Sequence, residues 1–152
     1  MPHARVWIDL GSGGGFPGMV LACALADQPG AVVHLVESNS KKAAFLREAA
    51  RVTGAPAMIH VTRVENFVDS FGGGVEAETA RALAPLKSLL TWSYPLLTRA
   101  PGIFPKGQDV DAELTEAAKY WSIDYRLAPS RTDPRGRIGI VRAWARRQAA
   151  QQ

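Results

Sequence analysis

The stretch WIDLGSGGGFPGMVLA (7–22) decides how this chain folds. An apolar run ends at Asp9 and Leu10, glycines follow at positions 11, 13, 14 and 15, and a second apolar segment resumes after Pro17. The pattern predicts a buried strand, a tight turn and a helix. Pro17 suits the first turn of that helix, where a missing N–H has no intrahelical partner to lose. A turn this poor in side chains lets backbone N–H groups approach a ligand closely. The plainer alternative is a tight turn that binds nothing, which so many glycines directly after a strand disfavour.

Working outward, the rest of the chain alternates between the two periods. AVVHLVES (31–38) reads as a second strand, and KKAAFLREAARVT (41–53) as a helix capped by Ser40 and stopped by Gly54. AMIHVTRV (57–64) reads as a third strand, VEAETARAL (75–83) as a fourth, and 85–97 as a helix. Glu78 falls where the fourth strand would ordinarily be apolar, and a buried unpaired carboxylate there is costly; a frayed or shifted strand is one way to avoid that cost. GIFPKG (102–107) reads as a fifth strand and DAELTEAAKYW (111–121) as a helix. The chain then changes character, because SIDYRLAP (122–129) and GRIGIVRAWAR (136–146) are strands joined by turn chemistry at Asp133, Pro134 and Gly136. Alternating β and α elements predict an α/β, Rossmann-like, mostly parallel sheet covered on both faces, with an antiparallel hairpin at its end.

Composition narrows the class. At 152 residues the chain is read as one domain, 1–152, with a substantial core. No apolar run approaches the roughly 20 residues that span a bilayer, and the start lacks the marks of a signal peptide. Cys23 is the single cysteine, which excludes an internal disulfide and argues against a cysteine-based metal site. It is read as a small buried residue on a helix face, in a cytoplasmic protein. A net charge of +4 is compatible with a polyanionic partner and decides nothing alone.

The ligand can be narrowed further. A dinucleotide fingerprint would need a third glycine at position 16, where Phe16 stands, and no Gly-Lys-Ser/Thr of a P-loop is present. Glu37, at the end of the second strand, is placed to accept both hydroxyls of a ribose. Asp9, the glycine turn and Glu37 together point to an adenosine ligand without phosphates, and S-adenosylmethionine is such a compound.

The motifs DLGSGGGFPGMVLA, LVESNSKKAAFLREA, VTRVENF, TARALAPL and FPKGQDVDAEL together resemble the glucose-inhibited division protein B family, small-subunit ribosomal RNA methyltransferases. The resemblance runs from about Val6 to the final hairpin. It implies a seven-strand class I methyltransferase fold and use of S-adenosylmethionine to methylate N7 of a guanine in 16S rRNA of the small ribosomal subunit. It implies cofactor contacts at Gly11, Gly13, Phe16, Glu37, Val64, Glu65 and Arg81, with Arg81 also facing the substrate entrance and positioning the methyl acceptor. Family members carry several dozen residues, mostly helical, before the first strand, so a chain shortened at its N-terminus is expected.

N7 of guanine is a lone-pair nucleophile, and no His-Asp or Cys-His pair marks a general base. Arg81 is accordingly read as binding a phosphate or the guanine edge, the alternative being an ion pair with Glu65 or Glu78. Lys106, Arg142 and Arg146 are RNA-contact candidates. Trp144 is either free to stack on a base or turned inward. Lys41, Lys42, Arg47 and Arg51 are read as a solvated helix face, and His3, His34 and His60 are assigned no role. The expected partner is the small subunit's 16S rRNA, met by a monomer with no membrane contact. Two alternatives stand beside this reading: a methyltransferase of the same fold with another substrate, and a cofactor-binding or RNA-binding module without turnover.

Overall fold

The computed structural model describes residues 3–96 and 100–147, and within β7 the side chains of residues 143 and 144 lie outside that description. The two options for Trp144 therefore fall outside the described residues, whereas the helix expected to run to about Leu97 ends earlier, at Ser93. The order of elements is β1 (Val6–Leu10), α1 (Gly18–Ala24), β2 (Val32–Val36), α2 (Ser40–Thr53), β3 (Ala57–His60), α3 (Val64–Ser70), β4 (Ala77–Ala80), α4 (Leu86–Ser93), β5 (Gly102–Lys106), α5 (Val110–Ala118), β6 (Trp121–Pro129) and β7 (Arg137–Arg146). The strands form one seven-stranded sheet in the order β3-β2-β1-β4-β5-β7-β6. The first five run parallel to one another, and β7 runs antiparallel to both β5 and β6.

Both faces of the central strands are buried, so β1 reads as a nearly continuous apolar run rather than as an alternation. Ile8, Leu10, Val36, Ala80 and Phe104 point to one face, under α3, α4 and α5. Trp7, Val33, Leu35 and Ala77 point to the other, against Met19 and Ala22 of α1 and Leu46 of α2. Because strand order reverses at β1, the chain leaves β1 and β4 toward opposite sides, and a crevice opens at the carboxyl ends of those strands.

Several expectations change. The third strand stops at His60, and α3, which sequence reading missed, begins at Val64. Its apolar residues Val64, Phe67 and Val68 follow helical spacing, but seven residues are too few for a period to declare itself. The cap of α2 is Asn39, whose side chain accepts the Lys42 N–H at 3.1 Å, while Ser40 is already the first helical residue. Glu78 sits in a strand that is neither frayed nor shifted, opposite Ile8 of β1 and Gly102 of β5, and is wholly buried. Cys23 is exposed, on the outer side of α1. No described helix is long and apolar enough to cross a membrane.

Candidate active site

The turn after β1 is built from backbone. Gly11 has φ +66°, and a Cβ there would stand 2.6 Å from Leu83 Cδ1, so the position demands glycine both for its conformation and for its space. Gly18 opens α1 beneath the Asp9 carboxylate, which a Cβ would meet at 2.3 Å. The Ser12 N–H donates to Val36 O at 3.0 Å and the Gly15 N–H to Ser12 O at 2.8 Å, which ties the turn to the end of β2.

Glu37, the residue after β2, locks the turn from the other side. Its Oε2 accepts the Gly13 N–H and its Oε1 the Asn39 N–H, each at 2.8 Å. A carboxylate has about four lone-pair positions, so acceptor capacity remains on the side facing the crevice. Behind the turn, Asp9 is buried, and burial pushes its carboxyl up to about 7. Neither Asp9 carboxylate oxygen has a hydrogen-bond partner among the described residues, the Ser12 hydroxyl donating instead to the Asp9 backbone carbonyl at 3.0 Å.

Opposite, the β3–α3 corner presents Val64 and Glu65, and the loop after β4 presents Arg81, whose Nε donates to Phe16 O at 3.1 Å. Among the described residues Arg81 makes no ion pair with Glu65 or Glu78. Gly11, Gly13, Phe16, Glu37, Val64, Glu65 and Arg81 all line one cavity of about 490 Å³. Sequence reading missed Arg63 and Trp92 in its wall and took Lys42, which also lines it, for a solvated residue. Trp92 arrives from α4, more than fifty positions beyond Glu37, and no local signal announces that contact.

A second cavity of about 660 Å³ adjoins the first and shares Arg81, Ala82 and Leu83 with it. The shared loop is strained at Ala82, a non-glycine residue with φ +51°. The far wall comes from the ends of β5 and β7 and the turn between β6 and β7, including Lys106, Ser130, Thr132 and Arg137.

With that geometry in view, residues 1–131 match the family described as GidB, rRNA small subunit methyltransferase G. The chain belongs to the GidB family. A relative from Bradyrhizobium sp. (strain BTAi1), named ribosomal RNA small subunit methyltransferase G, is 59% identical over 141 residues, covering 92% of this chain and 64% of the relative. One of the same name from Nitrobacter hamburgensis is 57% identical over 138 residues, covering 90% and 53%. The chain thus spans less than two thirds of the length of these curated relatives. Among solved structures, the O-methyltransferase TomG from Streptomyces achromogenes in complex with SAM superposes with a TM-score of 0.70 at 14% identity, covering 92% of this chain and 74% of TomG. An rRNA methylase from Streptococcus thermophilus gives a TM-score of 0.64 at 10% identity, covering 92% and 87%. These likenesses establish the class I methyltransferase fold.

Of the remaining expected residues of this GidB chain, Lys106 reaches a cavity and Arg142 and Arg146 do not. Lys106 lines the second cavity, but its side chain is only 8% exposed and is engaged by Glu113 at 2.7 Å and by Ala84 O at 2.9 Å. It serves as a strut between β5, α5 and the loop after β4. Arg142 and Arg146 lie toward the opposite edge of the sheet. β7 is antiparallel, with Arg137 opposite Lys106 and Val141 already opposite the start of β5, so everything after Val141 runs away from the crevice. Arg146 instead stands over the rings of Tyr94 and Trp121, at 5.8 and 5.6 Å. His34 and His60, unassigned in the sequence, meet at 3.0 Å between Nδ1 and Nε2 beside Phe67 and Phe71.

Proposed function

We propose that this chain carries the catalytic fold of an S-adenosylmethionine-dependent methyltransferase that modifies N7 of a guanine in 16S rRNA of the small ribosomal subunit. The observation that carries the reading is the convergence of Gly11, Gly13, Phe16, Glu37, Val64, Glu65 and Arg81 on one cavity, with a second cavity joined to it at Arg81. The glycine turn and the spare acceptor capacity of Glu37 fit an adenosine with free ribose hydroxyls. Val64 and Glu65 would hold the adenine edge. When bound, S-adenosylmethionine supplies an electrophilic methyl group.

The chain's own contribution is position. Guanine N7 needs no deprotonation, so the protein's task is to hold the ring edge in line and keep water out. Arg81 stands where both cavities meet, and its guanidinium can donate to guanine O6 or to a neighbouring phosphate. In this reading residues 1–152 act as a single domain, a monomer in the cytoplasm, on the 16S rRNA of the small subunit and without membrane contact.

Calorimetry with S-adenosylhomocysteine tests the cofactor. Binding is expected to be abolished by Gly11→Asp, which collides with Leu83, and strongly weakened by Glu37→Ala; unchanged affinity in both overturns the cofactor assignment. Transfer of labelled methyl to small subunits lacking the modification tests the substrate. Label is expected at one guanine N7 of 16S rRNA, and its absence from rRNA while the cofactor binds overturns the substrate.

A further inference from the structure

We infer that Arg137, at the start of β7, is the side chain that grips the RNA backbone beside the target guanine, across the second cavity from Arg81. The inference rests on the rRNA methyltransferase reading and adds to it a substrate-binding residue that the sequence motifs did not mark.

The argument begins with accessibility. N7 faces the major groove, and the major groove of A-form RNA is too deep and narrow for side chains to reach into. A base modified there must be unstacked and received in a pocket. The second cavity has a suitable volume, about 660 Å³, and opens onto the first through Arg81, Ala82 and Leu83. An extruded nucleotide brings its phosphates with it, so the pocket needs a cation that is not already neutralised.

Three basic residues line the cavity, and their bonding separates them. Lys106 is spent on Glu113 and Ala84 O. Arg81 is tied through Nε to Phe16 O and belongs to the rim shared by both cavities. Among the described residues Arg137 is held only through Nη1, which donates to Pro134 O at 3.1 Å and Gly136 O at 2.9 Å. These bonds brace the guanidinium without cancelling its charge. The two carboxylates of the lining are occupied elsewhere: Glu113 by Lys106 and the Leu86 N–H, and Asp133 by the Arg135 N–H at 2.9 Å. Arg137 makes no ion pair among the described residues.

The scaffold behind Arg137 is fixed as well. Ser130 N–H donates to Gly136 O at 3.1 Å, Gly136 N–H to Asp133 O at 3.0 Å, and the Ser130 hydroxyl oxygen accepts the Asp133 N–H at 3.2 Å. Register puts Arg137 opposite Lys106 at the end of β5, while Arg81 follows β4 on the other side of β5. Two strand spacings, roughly 10 Å, therefore separate the backbones that carry the two arginines. A planar guanidinium braced at one nitrogen and open at the rest suits bidentate contact with a phosphate.

The test uses Arg137→Ala and Arg137→Lys in the whole chain, with a fluorescent 16S rRNA fragment that contains the target guanine. Anisotropy titrations over a salt series are expected to show Arg137→Ala binding about tenfold more weakly. The slope of log affinity against log salt should fall by about 0.7 to 0.9, the value of one lost phosphate contact. Arg137→Lys should keep that slope, because the charge remains, and recover part of the affinity. S-adenosylhomocysteine affinity and melting temperature should match the unaltered chain in both variants. RNA affinity and salt slope unchanged in Arg137→Ala, with the unaltered chain binding RNA, would overturn the inference and leave the methyltransferase reading intact. Failure of the unaltered chain to bind or methylate rRNA would overturn both.

Discussion

Glu78 is the residue least at home in its surroundings. It is wholly buried, and its neighbour on the opposite sheet face, Thr79, pairs with Asp9 of β1. Burial, the main cause, pushes its carboxyl up to about 8, and the proximity of Asp9 acts in the same direction. Ser93 Oγ lies 2.5 Å from Glu78 Oε1 and 2.7 Å from Leu89 O. A hydroxyl has one proton to give, so a protonated Glu78 donating to Ser93, with Ser93 donating to Leu89 O, satisfies both contacts. The folded state then holds a proton that the unfolded chain releases above about 4.5. That contribution is complete below pH 4.5 and is lost as pH rises through about 8, as is the corresponding one from Asp9 between 3.8 and about 7. Glu78→Gln removes the titration and keeps the shape. Urea unfolding should show the variant gaining on the parent by on the order of 1 kcal/mol per pH unit between pH 5 and 8. An identical difference at both ends of that range would show that Glu78 does not titrate on unfolding. The sequence marked Glu78 as odd. It could not show why, because the serine that makes the carboxyl tolerable is fifteen positions away, on α4.

At the scale of elements, strong local signals were legible and short elements were not. The glycine turn, Pro17 before α1, and Gly54 at φ +66° after α2 each act within a few residues, and each falls where the pattern puts it. The start of α2 was misjudged by one position, because Asn39 and Ser40 are both good caps and only the backbone shows which is extended. Asn39→Ala is therefore expected to cost about 1 kcal/mol in urea unfolding, whereas Ser40→Ala stays within about 0.5 kcal/mol. A larger loss at Ser40 would reverse that assignment. Helix α3 escaped because its seven residues, VENFVDS, follow a strand that reads as though it continued to Val64. Its absence from the sequence reading did not spoil the site, since Val64 and Glu65 were assigned from the family motif rather than from their element.

For the whole molecule, the sheet is the common wall of two cores, one under α3, α4 and α5 and the other under α1 and α2. Phe104 fills the first and Leu46 the second, and neither is accessible to solvent. Leu46→Ala should cost about 2–5 kcal/mol and Phe104→Ala about 3–5 kcal/mol. Because both cores rest on β1 and β4, each variant should still unfold in one transition, coincident by tryptophan fluorescence and far-ultraviolet circular dichroism. Separate transitions would show that the faces melt independently. The sequence by itself determined the class of fold, the nature of the turn at Gly11 and part of the lining of the first cavity, because glycine patterns, strand ends and family motifs are written in neighbouring positions, whereas Arg63 and Trp92 are not marked by them. Only the tertiary structure decided which of the basic residues face the second cavity. Strand order and the antiparallel register of β7 send Arg142 and Arg146 away from the crevice, bring Arg137 to it and spend Lys106 on Glu113. Those outcomes depend on pairings between residues far apart in the chain, and no stretch of adjacent residues encodes them.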